Sequence, residues 1–91
     1  MQLTRQADYA IRALLRLSES EFGTVIQTKE IASTEAIPEK YLPTIMRTLA
    51  RAGLVRTLRG NQGGVLLARQ PSEINLAEVI KAVEEPIVHN R

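Results

Sequence analysis

A chain of 91 residues without cysteine is long enough for one hydrophobic core, and it excludes disulfides, thiolate metal sites and cysteine nucleophiles. Tyr9, Phe22 and Tyr41 are its only aromatic residues, which disfavours a stacking platform for single-stranded nucleic acid. Residues 40–69 carry six basic and no acidic groups, whereas each flanking segment has a net charge of −2, so the positive charge is local.

No apolar run approaches the roughly 18 residues that a membrane-spanning helix needs, and the N-terminus lacks a signal-peptide pattern. We therefore expect a single domain over residues 1–91 and a cytoplasmic protein. Nine of the twelve cations are arginine, the side chain suited to bidentate contacts with phosphate and guanine. This favours a nucleic-acid partner, although a charge run of this kind can also be an ordinary solvated face.

The N-terminal segment predicts a first helix over about 5–20, capped by Thr4. Asp8 and Arg12 are spaced to pair on its exposed side. Arg5 lies at the start of this helix, where it either touches a phosphate or only solvates the helix, and both interpretations stay open. The side chains expected on the buried side are Ala7, Ile11, Leu14, Leu15 and Ser18.

A short second helix follows a loop. Residues 22–27 predict that loop, with a brief extended piece, and Thr28 is expected to cap the helix KEIASTEA, with Ile31 and Ala32 facing inward. A turn then leads to Pro38, which suits the first position of a third helix. Two helices joined so closely are typical of a helix-turn-helix, whose second helix reads DNA. The joint alone is a weak signal, because many small helical domains contain one and bind nothing.

The third helix, expected over 38–52, separates apolar from basic residues. At about 100° per residue, its basic and polar side chains fall within about 60° of one another, opposite the apolar ones. Pro43 removes a hydrogen bond, so a kink or a slight irregularity is expected early in the helix, and Gly53 ends it. Such a face is typical of a helix that enters an anionic groove. The outer row is Lys40, Thr44, Arg47 and Arg51, and the inner row is Leu42, Ile45, Met46, Leu49 and Ala52.

After Gly53, the runs LVRTL and VLLA predict two strands around the turn RGNQGG, giving a β-hairpin over about 54–68. Three glycines in the turn allow positive φ angles. No GK[ST] follows, so a nucleotide-binding loop is disfavoured. A hairpin behind a reading helix is instead the wing of a winged helix, and Arg59 at its tip suits the negative minor groove. A hairpin tip that is only solvated is the alternative.

Residues 71–74 turn the chain into a final helix, for which Asn75 is the expected cap and Pro86 the end. His89 is an isolated histidine in a polar tail, and we expect it to be solvated and not a metal ligand. The buried stripe of this helix is expected to be Leu76, Val79, Ile80 and Val83.

Three segments carry a family resemblance: MQLTRQADYAIRALLRL, IPEKYLPTIMRTLARAGLV, and RGNQGGVLLAR before INLAEVIKAVEE. With them the chain resembles the Rrf-two (Rrf2) family of bacterial winged-helix transcription regulators over essentially its whole length. The resemblance implies a mainly α winged helix-turn-helix fold with a small β-hairpin, and a homodimer that binds a palindromic promoter site. It places the helix 38–52 in the major groove and the wing in the minor groove.

The resemblance also assigns roles by position. Lys40, Tyr41 and Thr44 would face bases or phosphates. Arg47 would contact phosphates, and Arg59 and Gly60 the minor groove. Together with the charge pattern, this gives a candidate DNA-binding set of Arg5, Lys40, Tyr41, Thr44, Arg47, Arg51, Arg59, Gly60 and Asn61.

Two features depart from the family pattern. Val65 stands where the family usually has an aromatic residue after the last glycine of the wing, which bears on packing more than on DNA contact. Many members also hold an iron–sulfur cluster through three cysteines just beyond the last helix, followed by a long dimerisation helix. The chain ends at Arg91, where those elements would begin, so we expect no cofactor in it. It is either a truncated form or a member without both elements.

The leading hypothesis is a sequence-specific DNA-binding transcription regulator. Repression is its expected effect, and double-stranded DNA and a second copy of the chain are its expected partners. The alternative is a winged helix that docks its basic face on an acidic protein. An enzyme is disfavoured, because one histidine, no cysteine and no clustered carboxylates give no recognisable catalytic constellation.

Overall fold

Four α-helices and one β-hairpin make up the chain over residues 3–59 and 63–84, the parts that the computed structural model describes. Two short 3-10 turns, Glu39–Tyr41 and Pro71–Glu73, precede the third and fourth α-helices. The expected mainly α fold with a small hairpin is confirmed. In chain order the elements are α1 (Arg5–Ser18), α2 (Thr28–Glu35), α3 (Leu42–Arg51), β1 (Val55–Leu58), β2 (Gly64–Leu67) and α4 (Leu76–Glu84).

The two strands pair antiparallel, with Val55 opposite Leu67 and Leu58 opposite Gly64. Ile26, from the loop between α1 and α2, adds a third extended piece, because its N–H and C=O exchange hydrogen bonds of 2.9 Å with those of Val65. A Cβ added at Gly64 would lie 2.7 Å from Val25 Cγ1, so the loop packs closely against β2 and a larger residue here would require Val25 to shift. The loop therefore holds the base of the hairpin against the helices.

An aliphatic core lies between the helices and the base of the hairpin. α1 packs against α2, α3 and α4, while α3 also contacts β1. No polar or charged side chain of the described residues belongs to the buried class. The inward side of α3 predicted from its spacing is confirmed for Leu42, Ile45, Met46 and Leu49, each at most 2% exposed. Its outward side is consequently fixed by the core.

Helix ends follow local side-chain chemistry in most places. Thr4 Oγ1 accepts a hydrogen bond from the Ala7 N–H, which confirms the predicted cap, although α1 ends at Ser18, two residues early. The predicted cap at Thr28 is wrong, since Gln27 holds that position and Thr28 is the first helical residue. Asn75 Oδ1 accepts from the Ala77 and Glu78 N–H groups at the start of α4, as predicted.

Two leucines predicted to be buried are exposed. Leu15 on α1 and Leu76 on α4 are each 57% exposed, because both lie on the rim of an open apolar groove of about 170 Å³. Helical spacing placed them on the apolar side correctly, but no described element covers that part of it. The groove is also lined by Ile11, Leu14, Ser18, Pro71, Ile74 and Val79. None of the helices in the described residues is both long and apolar enough to cross a membrane.

Candidate nucleic-acid interface

The entry to the third helix differs from the prediction of one helix over 38–52. Pro38 has φ −58° and ψ 128°, outside the helical region, and Glu39–Tyr41 form a 3-10 turn before α3 begins at Leu42. Pro43 is consequently in the first turn of α3, where its missing N–H would have no helical partner anyway. Of the two outcomes expected near Pro43, the early irregularity is observed as this 3-10 turn, and Pro43 requires no kink inside α3.

The turn between α2 and α3 is set by backbone conformation. Ala36 adopts a left-handed conformation (φ 55°), and the Ile37 N–H bonds to the Ala32 carbonyl at 3.0 Å, which closes the end of α2. Ile37 is then buried and holds the turn to the core. This turn places α3 after α2 in the expected helix-turn-helix order.

The outer row of the third helix is exposed throughout. Lys40, Thr44, Arg47 and Arg51 all belong to the exposed class, whereas the neighbouring apolar residues are buried. Lys40 lies in the 3-10 turn and not in α3, so only the last three side chains share the predicted helical spacing. The result is a polar and cationic face on α3 with the core directly behind it.

The eleven lysine and arginine residues of the described part of the chain fall into two groups. Arg12, Arg16 and Arg69 each form a salt bridge with a carboxylate. The other eight are exposed and form no salt bridge with any described residue, and five of these eight lie between residues 40 and 59, where their charge is available to an anionic partner. We call these the open cations; they are Lys40, Arg47, Arg51, Arg56 and Arg59.

Two of the three arginines of α1, Arg12 and Arg16, contact α2. Arg12 pairs with Asp8 at 3.0 Å, as predicted, and its Nη1 also donates to the Glu35 carbonyl at the end of α2 (2.7 Å). Arg16 bridges to Glu30 at 2.8 Å. These contacts hold α2 beside α1. Arg5, the α1 residue predicted to contact DNA, is exposed and forms no salt bridge with the described residues.

Arg69 is the cation of the 40–69 run that the structure turns inward. Its guanidinium is 2.7 Å from Glu78 on α4, and hydrogen bonding to Arg69 lowers the pKa of that carboxyl below its ordinary value, although partial desolvation opposes the shift. The same pairing raises the pKa of Arg69. Counting Arg69 with the basic face was therefore wrong, and five of the six cations between residues 40 and 69 are available to bind an anionic partner.

An aromatic pair that the sequence did not reveal supports the first turn of the interface. The rings of Tyr9 on α1 and Tyr41 stack with centroids 5.9 Å apart. The Lys40 ammonium lies 5.2 Å from the Tyr41 centroid, and the Arg12 guanidinium lies 5.3 Å from that of Tyr9. Tyr41, a predicted DNA contact, is 37% exposed. The sequence contained one hint of this pair: the chain has only three aromatic residues, and two of them stack here.

The wing is described at its base and at one side of its tip. Arg59 directly follows β1 and is exposed. Gly60 and Asn61, the other predicted tip contacts, lie outside the described residues, as do Pro86 and His89. The two strands differ in burial. Three of the four residues of β1 are exposed (Arg56, Thr57 and Leu58), whereas three of the four residues of β2 are buried (Gly64, Val65 and Leu67). β2 is therefore the strand that joins the core.

Comparison with known proteins agrees with this geometry. The chain is 36% identical over 85 residues to the transcriptional regulator NsrR of Shouchella clausii, covering 93% of this chain and 57% of that protein. The structure of CymR, the global cysteine regulator of B. subtilis, superposes with a TM-score of 0.84 at 27% identity and covers all of this chain and 70% of that one. IscR of T. potens gives a TM-score of 0.82 at 30% identity, with 100% and 66% covered.

The chain thus spans less than three fifths of the length of the NsrR relative, and the match includes the helices and the hairpin described above. The winged-helix architecture expected from the sequence is confirmed by the solved neighbours. A family model described as "Rrf2: Iron-dependent Transcriptional regulator" matches residues 3–91. The chain therefore belongs to the Rrf2 family of transcriptional regulators.

Proposed function

We propose that this chain is the DNA-binding part of a cytoplasmic transcription regulator. The observation that carries the proposal is the set of five open cations on α3, its entry turn and the hairpin, none of which has a carboxylate partner among the described residues. Duplex DNA carries a dense row of phosphates, which such a set can neutralise with release of counterions. The proposal assigns the chain no catalytic role.

In this proposal α3 enters the major groove, and different residues of its outer row contact phosphates and bases. Arg47 and Arg51 bind phosphates, which positions the domain without reading sequence. Lys40, Tyr41 and Thr44 lie at or near the start of α3, the end from which a reading helix reaches base edges. Sequence preference therefore depends on this end of the helix.

The wing supplies a second contact. Arg59 at the hairpin tip enters the minor groove, where narrow A·T-rich segments have an enhanced negative potential, and Gly60 and Asn61 accompany it. Arg5 binds a phosphate near the start of α1. Two copies of the protein bind the two halves of a palindromic site one helical turn apart, and occupancy of that site represses transcription.

Iron is not part of the proposal for this chain. The family is described as iron-dependent, but the 91 residues contain no cysteine to ligate a cluster. Within residues 3–59 and 63–84, no group of three or more histidine, aspartate or glutamate side chains could hold a metal ion. The donor set of the described residues therefore does not fit an iron site, and the proposed DNA binding needs none.

Selection of duplexes from a random-sequence library by the purified chain tests the proposal. We expect enrichment of a palindromic motif, and a higher affinity for the selected duplex than for a random one. Thr44→Ala should change the enriched motif, whereas Arg47→Ala should weaken binding to all duplexes alike. Lys81→Ala, which removes an exposed cation from α4, is the matched control and should change neither.

Two results would contradict the proposed DNA binding. One is selection of no motif together with weak binding that is indifferent to sequence, as expected if the basic face docks on an acidic protein instead. The other is an equal effect of Lys81→Ala and Arg47→Ala, which would show that the position of the charge does not matter.

A further inference from the structure

Arg69 uses every N–H of its guanidinium, and it uses them on three different elements. Nε donates to the Gly53 carbonyl and Nη2 to the Ala52 carbonyl, both at 3.2 Å, just beyond the end of α3. Nη1 donates to the Glu73 carbonyl at 3.4 Å, in the turn before α4. Both terminal nitrogens also bind the Glu78 carboxylate, at 3.0 and 2.7 Å. One side chain thus joins α3, the end of the hairpin and α4.

These acceptors explain why an arginine is needed. The Ala52 and Gly53 carbonyls lie just past the last residue of α3, where no further helical turn supplies N–H groups, so their donors come from elsewhere. A planar fork with five donors can serve two carbonyls and a carboxylate together, whereas a lysine ammonium has three donors at a single point. Lysine at position 69 would keep the charge but lose much of the junction.

The junction lies where the hairpin leaves the body of the domain. Arg69 follows β2 by two residues, and the intervening Ala68 N–H bonds to the Leu54 carbonyl before β1 at 3.0 Å. A two-stranded hairpin is only marginally stable alone, so its direction depends on what holds its base. Here the hairpin is held by buried Val55, Val65 and Leu67, by the backbone pairing of Val65 with Ile26, and by Arg69 at its base.

We propose that Arg69 is a positioning residue that sets the direction of the wing relative to α3, and so decides whether Arg59 reaches the DNA. This inference rests on the function proposed above. It assigns Arg69 no contact with DNA, because its donors are all occupied within the protein. Glu78 is the second member of the device, since it orients the guanidinium from α4.

A double-mutant cycle on DNA affinity tests this role. Affinities of the intact chain, Arg69→Lys, Arg59→Ala and the double variant are measured by fluorescence anisotropy on the selected duplex. Arg59→Ala should lower affinity by about tenfold in the intact chain, a loss typical of one arginine contact. In the Arg69→Lys background the same change should cost about twofold or less, because the wing no longer presents Arg59 to the groove.

Arg47→Ala is the matched control for the cycle. Arg47 lies on α3, which four buried side chains anchor in the core besides the contact of Arg69 at its end, so removal of Arg47 should cost the same in both backgrounds. A purely structural role for Arg69 would lower the folded fraction and scale all affinities together, and this would leave both cycles additive. Thermal melting of each variant establishes that it is folded at the assay temperature.

Glu78→Gln carries the test if Arg69→Lys does not fold. It leaves the bonds to the Ala52 and Gly53 carbonyls possible and should reduce the cost of Arg59→Ala to an intermediate value. The positioning role is overturned if Arg59→Ala is additive with both Arg69→Lys and Glu78→Gln. It is also overturned if Arg59→Ala does not lower the affinity of the intact chain. Failure of the intact chain to bind any duplex would instead overturn the proposed function.

Discussion

Replacing Arg47 with alanine removes one open cation from the middle of α3 without disturbing the core. Arg47 is exposed, forms no salt bridge with the described residues, and lies between buried Met46 and half-buried Thr48. Alanine is the best helix former, so α3 should be retained. The variant therefore isolates the electrostatic contribution of one side chain.

The structure sets the size of the effect. If about four of the five open cations neutralise phosphates, log affinity falls against log salt with a slope of about −3.6 per subunit and about −7 for a dimer. Arg47→Ala should reduce the steepness by about 0.9 per subunit, to a dimer slope of about −5.4. Between about 50 and 200 mM salt, the intact chain should lose about four orders of magnitude in affinity and the variant about three.

Fluorescence anisotropy with a labelled duplex over that salt range measures both slopes. Lys81→Ala, with its cation on α4, should keep the slope of the intact chain. An unchanged slope in Arg47→Ala, or an equal change in Lys81→Ala, would refute the assignment of phosphate contacts to the outer row of α3.

Three further predictions concern the wing, a helix end and pH. Arg59→Ala should lower affinity most on duplexes with A·T-rich flanks, and equal losses on G·C-rich flanks would contradict minor-groove insertion. Gly53→Ala should destabilise the fold by about 1 kcal/mol, because φ at this position is +78°, and an unchanged denaturation midpoint would contradict this. The carboxyl pKa of Glu78 is lowered by its hydrogen bonds to Arg69, so its contribution to stability is present above the ordinary pKa of about 4.3 and is lost as pH falls through the lowered value. The difference in melting temperature between the intact chain and Glu78→Gln should therefore shrink as the solution is acidified below that range, and a difference that does not change with pH would contradict a contribution from the ionised carboxylate.

The outer row of α3 could be predicted because the information is local. A run of thirty residues without a carboxylate, apolar side chains at helical spacing and a closing Gly53 all lie within one stretch of sequence. The same holds for the hairpin, where three glycines separate two apolar runs. Local patterns of this kind determine which side of an element faces the core.

The features that escaped prediction depend on partners distant in the fold. Arg69 looked like one more cation of the basic run, because nothing in the sequence shows that Glu78 and two helix-end carbonyls converge on it. Leu15 and Leu76 have the spacing of buried residues, but burial requires a covering element, and spacing cannot supply one. Pro43 looked like an interior proline because the sequence pattern began the helix at Pro38, whereas the 3-10 turn before α3 moves the start of the helix to Leu42.

Chemical-shift mapping by NMR tests the central claim most directly. The uniformly labelled chain is titrated with the duplex that it selects, and the perturbed backbone amides are mapped on the structure. We expect the changes to concentrate at 40–51 and at Arg59, with the apolar groove around Leu15 and Leu76 unaffected. Changes confined to that groove, with the amides of α3 unmoved, would show that DNA does not bind where the open cations lie.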